Sequence, residues 1–135
     1  MERQNVRIVT AAVIEKDGRI LIARRKKGDP LEDKWEFPGG KLEPNETPED
    51  CLLRELHEEF GVSAAVGEFI GSSRFTYRHA AIELLAYRVA CPSDEFKVKA
   101  HEEIRWVHPE ELGRYDFSEA DRPIVQKLLE LYRLK

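Results

Sequence analysis

Cysteine is scarce in this sequence: Cys51 and Cys91 are the only two in 135 residues. Neither stands in a CxxC or any other metal-ligand spacing, which excludes a thiolate metal knuckle and a disulfide framework. Two free thiols suit a reducing compartment. A surplus of positive charge is also missing. Lys and Arg total 22 against 26 Asp and Glu, a formal net charge of -4. That balance argues against a nucleic-acid partner, which calls for a basic face. It leaves an anionic small molecule open, because bound metal ions reverse the local sign of charge. No apolar run is long enough to span a membrane, and the polar start, Met1 to Asn5, leads straight into apolar alternation instead of a secretory signal. The expectation is a cytoplasmic protein without a membrane partner. Repeats, low-complexity tracts and linkers are absent too, so residues 1–135 read as one domain. With 41% hydrophobic and 36% charged residues, the class is soluble globular.

What is present is an irregular alternation of strands and helices. Val6 to Glu15 has the composition of a strand with a buried face, and Asp17-Gly18 is the dipeptide of a tight hairpin turn into Arg19 to Ala23. Arg24 to Lys34 reads as an exposed loop, and Trp35 to Phe37 as a short strand ending at Pro38-Gly39-Gly40. Thr47-Pro48-Glu49-Asp50 is a helix start, with Gly61 as its stop, so a helix is predicted from Pro48 to Glu59. Val62 to Tyr77 reads as strand interrupted by turns at Gly67 and Gly71, Ala81 to Ala90 as strand, and Ile104 to Val107 as a short strand. One helical turn at Pro109 to Leu112 and a helix from Ser118 or Glu119 onward complete an α/β sandwich with a mixed sheet.

The chemistry concentrates on the first helix. Glu55, Glu58 and Glu59 stand at i, i+3 and i+4, which puts three carboxylates on one face, within about 6 Å between Cβ atoms. Like charges so close repel, and a cation should offset them. Hard divalent ions take oxygen ligands, so the cluster suits Mg²⁺ or Mn²⁺ acting on phosphates. A solvated acidic face is the plain alternative. Arg54, placed to hold a neighbouring carboxylate in a bidentate pair, Glu46 just before the helix cap, and the double glycine upstream favour the metal site.

The segment from Gly40 to Val62 resembles the Nudix box, Gly-x5-Glu-x7-Arg-Glu-U-x-Glu-Glu-x-Gly-U with U a bulky aliphatic residue. Gly40, Glu46, Arg54, Glu55, Leu56, Glu58, Glu59, Gly61 and Val62 match every specified position. The resemblance covers essentially the whole chain and implies the Nudix fold, an α/β/α sandwich around a mixed sheet. It implies Mg²⁺-dependent hydrolysis of a pyrophosphate linkage, with Mn²⁺ as a substitute. By position it makes Glu55, Glu58, Glu59 and the Gly39 carbonyl metal ligands, Arg54 the residue that orients a carboxylate, Glu46 a support for the loop, and Glu55 the base. The family adds an acid from a later loop, and Glu102 is favoured over Glu103 for it.

The strings Lys34 to Lys41 and Glu119 to Pro123 resemble the MutT-like branch that cleans nucleotide pools. The substrate implied is a nucleoside triphosphate, 8-oxo-dGTP or a cytidine triphosphate, and the product a monophosphate plus pyrophosphate. Where the oxidised-guanine enzymes read the base with Asn, this chain carries Asp121, as cytidine-directed members do. Asp121 serves equally well as a first-turn acid of the last helix. Arg25 and Arg78 are candidates for phosphate or base contacts, or are solvated charges. Phe37, Phe75 and Tyr77 are candidates for stacking on a base, or are core. Trp106 is assigned to the core, and His79 and His101 to ordinary polar positions. Rival readings are another diphosphate, such as ADP-ribose or a dinucleoside polyphosphate, the latter kept in view by Tyr77, and a non-catalytic nucleotide-binding Nudix module. The oligomeric state expected is monomer or homodimer.

Overall fold

Asp17 and Gly18 both take positive φ, 52° and 76°, the geometry of a two-residue hairpin turn whose twist matches its strands. They join strand β1, Val6–Lys16, to the antiparallel β2, Arg19–Arg25. These elements come from a computed structural model that describes residues 6–93 and 95–133; the polar start, Met1 to Asn5, lies outside them. The chain continues through β3, Trp35–Glu36, helix α1, Pro48–Phe60, β4, Ala65–Thr76, β5, Ala81–Ala90, and β6, His101–Val107. Two 3₁₀ segments, Pro109–Arg114 and Glu119–Asp121, lead into helix α2, Arg122–Arg133.

The sheet is mixed. Its main path runs β3-β2-β1-β5-β4, with β6 on the other edge of β2. β1 and β5 pair in parallel from Val6↔Ala81 to Ile14↔Val89. Ala12 and Ile14 of β1 join Leu52, Leu56 and Phe60 of α1 in one core. Ala11 and Val13 join Ile124, Val125 and Leu128 of α2 in the other. β1 is therefore covered on both faces, which is why its sequence is a near-continuous apolar run. Leu52, Leu56 and Phe60 are fully buried, each worth about 2–3 kcal/mol. Repulsion among the acids on the opposite face costs only a few tenths of a kcal/mol per pair, so packing decides that the helix forms.

The structure revises three element boundaries. β4 is one continuous strand, not a strand broken by turns at Gly67 and Gly71. The irregularity shows as register shifts against β5 between Val66 and Phe69 and between Phe69 and Gly71, where bulges bend the strand without ending it. β6 begins at His101, three residues before the predicted start, because its pairing with β2 extends as far as Arg25. The last helix opens with a 3₁₀ turn, and regular α geometry starts only at Arg122.

Candidate active site

β1 and β2 pair only near their hairpin, at Glu15↔Ile20 and Lys16↔Arg19. Beyond that they part, and residues 38–42 run alongside β1. Ala12 N donates to the Pro38 carbonyl at 2.6 Å, Thr10 N to that of Gly40 at 2.8 Å, and Leu42 N to that of Ile8 at 2.9 Å. This close approach explains the two glycines. A Cβ on Gly39, whose φ is 155°, would lie 2.0 Å from the Thr10 carbonyl oxygen. One on Gly40 would lie 2.3 Å from the Glu55 carboxyl carbon. The segment is thus wedged between β1 and α1.

α1 starts where the Thr47 hydroxyl accepts the Asp50 N–H at 3.1 Å, and stops where Gly61 N–H caps the His57 carbonyl. In its middle turn Arg54 ties the box together. Its Nε and Nη2 donate to the two oxygens of Glu46 at 2.7 and 3.0 Å, and Nη1 donates to Glu55 at 2.9 Å and to Glu58 at 3.3 Å. Nη2 also reaches the Lys41 carbonyl at 3.1 Å. The Arg54 hydrogen bonds hold the Glu46 carboxyl down at about 2. Glu46 also accepts the Glu43 N–H, so one ion pair fixes the loop onto the helix.

An open cleft of about 470 Å³ lies between the tip of this loop, α1 and β6. Glu55, Glu59, Glu36, Gly39 and His101 line it, with Arg7, Lys26 and Lys41 at its margin. Glu59 is largely buried. Burial, a hydrogen bond to Glu55 and the charge of Glu36 together raise its carboxyl well above the usual range. Glu36 is braced from behind: Arg25 Nη1 donates to it at 2.6 Å, and Arg25 Nε and Nη2 donate to Asp29 at 2.9 and 2.6 Å. From the front, His101 Nε2 meets Glu36 at 2.8 Å.

A smaller recess of about 90 Å³ adjoins the cleft, lined by Phe37, Tyr77, Leu84, Ser118 and Asp121. Asp121 is buried at its edge, accepting Phe37 N–H at 3.1 Å and the Ser118 hydroxyl at 2.5 Å. Burial first, then the charge of Glu36, pushes its carboxyl up to about 7. Ala120 N–H donates to the Tyr77 hydroxyl at 2.8 Å, and the Ser73 hydroxyl donates to the Ala120 carbonyl, which closes the recess from β4.

The family model for the NUDIX domain matches residues 4–128. The chain belongs to the Nudix family. Among relatives, the CTP pyrophosphohydrolase of Escherichia coli K12 is 37% identical over 123 residues, covering 91% of each chain. A protein of Mycobacterium tuberculosis named as a putative 8-oxo-dGTP diphosphatase 2 is 35% identical, over 90% of this chain and 86% of its own. Among solved structures, the E. coli ORF135 protein superposes with a TM-score of 0.84 at 34% identity, covering 98% and 94% of the two chains. The MutT protein of Methanosarcina mazei Go1 superposes at 0.88 over both full chains with 24% identity, a likeness of fold. The mixed-sheet α/β fold and the assignment to Nudix pyrophosphohydrolases both hold.

The other residues expected in this Nudix site stand at differing distances from the cleft. Glu102 is solvent-exposed: it is the extra residue where the β2–β6 register shifts between Arg24 and Arg25, and its neighbour His101 turns into the cleft in its place. Glu103 pairs with Arg24 and Arg105. Glu58 is 58% exposed, held at the rim by Arg54. Arg25 lines the cleft, but its guanidinium is engaged by Asp29 and Glu36. Arg78 is exposed in the β4–β5 turn, where it lines a separate shallow groove with Arg7. Phe37 and Tyr77 are core residues that also line the recess, whereas Phe75 is 38% exposed and does not line it. Trp106 packs on the rim of the α1-side core, edge-on to Phe96.

The residue set fits a hard divalent cation. Two neighbouring carboxylates and a backbone carbonyl offer oxygen donors, and the burial and negative neighbours that raise the Glu59 carboxyl are what a bound cation would offset. Among the described residues no three His, Cys, Asp or Glu side chains are gathered closely enough to hold an ion alone. Mg²⁺ generally requires only one or two carboxylates, with water and substrate phosphates completing its shell. No helix among the described residues is long and apolar enough to cross a membrane.

Proposed function

We propose that this Nudix domain hydrolyses nucleoside triphosphates to the monophosphate and pyrophosphate, with Mg²⁺, or Mn²⁺ in its place, held by Glu55, Glu58, Glu59 and the Gly39 carbonyl. The observation that carries the reading is the half-buried Glu55–Glu59 pair in a cleft that shares its wall with a second recess. A bound divalent ion neutralises phosphate oxygens and lowers the pKa of a water ligand. The chain's own residues do the rest. Glu55 takes the proton of the attacking water, and Arg54 fixes that carboxylate in place. Arg7, Lys26 and Lys41 stand at the margin to meet the phosphate charge. The fixed approach of Gly39 and Gly40 to β1 keeps these groups in register.

The recess supports a base selected from oxidised guanine and cytosine. A carboxyl titrating at about 7 is substantially protonated at neutral pH. In that form Asp121 can both donate and accept, as an Asn does. Relatives named for CTP and for 8-oxo-dGTP both favour this pair of substrates. In the test, Glu55→Gln and Glu58→Gln each lose most triphosphate hydrolysis while circular dichroism shows an intact fold. A folded Glu58→Gln protein with near-normal turnover would remove Glu58 from the assignment.

A further inference from the structure

His101 reaches the cleft from β6, outside the box. Its ring is 4% exposed and lies parallel to Phe60, with centroids 5.5 Å apart and planes at 3°, so it can neither tilt nor leave without opening the core. Nε2 meets the Glu36 carboxylate at 2.8 Å. A carboxylate only accepts, so Nε2 carries a hydrogen, and in that neutral tautomer Nδ1 is the nitrogen open to a metal ion. That Nδ1 is buried and has no hydrogen-bond partner among the described residues. It stands 3.5 Å from the carboxylate of Glu59, a residue that lines the cleft.

A buried, unpartnered imidazole nitrogen is costly unless something approaches it. The rest of the chain is arranged as for a metal-bound histidine. Such residues donate their second ring N–H to a carboxylate, which fixes tautomer and orientation. Here that carboxylate is Glu36, itself held by Arg25, which Asp29 holds in turn. Two ligands at about 2.1 Å from one ion and at right angles stand about 3 Å apart, so the 3.5 Å spacing of Nδ1 and Glu59 needs only a small adjustment.

We propose that His101, through Nδ1, joins Glu59 in holding the divalent ion, and that this nitrogen biases the site toward Mn²⁺ over Mg²⁺. Mg²⁺ prefers oxygen ligands, whereas imidazole suits transition ions. The inference rests on the metal reading given above.

The test uses Mn²⁺ alone, added to the whole chain labelled with ¹⁵N-histidine or left at natural abundance. Electron spin-echo modulation of the bound Mn²⁺ is expected to show a nitrogen coupling that changes with the label. The coupling should persist in His79→Gln and vanish in His101→Gln. His101→Gln should also weaken Mn²⁺ binding by roughly 10–100-fold and Mg²⁺ binding much less. Bound Mn²⁺ with no histidine coupling overturns the inference while leaving the carboxylate metal site standing. Failure of the parent protein to bind Mn²⁺ overturns the metal reading and this inference with it. Since the label comparison is made on the parent, a poorly folded His101→Gln does not blunt the result.

Discussion

Asp121→Asn tests whether the recess is lined by a neutral carboxyl. The side chain is buried, and burial together with the charge of Glu36 pushes its pKa from 3.8 up to about 7 in the folded chain. The folded state therefore binds the proton more tightly than the unfolded state. This term does not destabilise below the unfolded pKa; it lowers stability progressively as pH rises from about 4 to 7, and its full cost applies above that. A rise of this size is worth at most ~4 kcal/mol. Asn has nearly the same shape and cannot ionise. Its Oδ1 can accept the Phe37 N–H, and its amide can donate to the Ser118 hydroxyl, so both contacts survive. The variant should be more stable than the parent, by an amount that grows by about 2–3 kcal/mol between about pH 5 and about pH 8.5. Urea unfolding across that range measures it. A gap that does not vary with pH, or a variant weaker at high pH, would show that Phe37 and Ser118 suffice to keep the carboxylate ionised.

Gly40→Ala would set a Cβ 2.3 Å from the Glu55 carboxyl carbon, where ordinary contact needs more than an ångström further. Because a ~1 Å misplacement of a reacting group can cost about 10²-fold, kcat/KM should fall by about that factor in a folded variant; steady-state kinetics with circular dichroism checks both halves. Metal binding should release protons. Glu59 is held above the usual carboxylate range in the metal-free chain, and a ligand must be deprotonated to bind. Adding Mg²⁺ near neutral pH in weak buffer should acidify the solution for the parent and much less for Glu59→Gln.

Local signals in the sequence carried the parts of the fold that depend on local physics. Asp17-Gly18, Thr47-Pro48 and Gly61 each announce a turn, cap or stop through their own backbone preferences, and each does so in the structure. The box also brings Arg54 to Glu46 and Glu55, since the spacing of residues on one helix is nearly fixed. The Glu36–His101 pair could not be read this way. Its members are 65 residues apart and meet because of the β2–β3 and β2–β6 registers. The bulge at Glu102 likewise turns on an extra residue in pairing, which leaves Glu102 exposed and Glu103 on Arg24, and spacing along the chain does not carry that information. One sign is legible: Glu36 is a lone acid between Trp35 and Phe37, three residues before Gly39, where a charge among apolar neighbours needs partners. The sequence alone leaves Asp121 equally a helix-start acid and a base contact. Its carboxylate accepts Phe37 N–H and the Ser118 hydroxyl, contacts invisible without the third dimension.

The most direct measurement is product analysis over a panel of CTP, dCTP, 5-methyl-dCTP, dGTP, 8-oxo-dGTP and ADP-ribose, with Mg²⁺ and with the ion chelated. The account predicts equal amounts of monophosphate and pyrophosphate from cytidine or oxidised-guanine triphosphates, abolished by chelation. AMP from ADP-ribose with the triphosphates left intact, or no metal-dependent hydrolysis by folded protein, would contradict it.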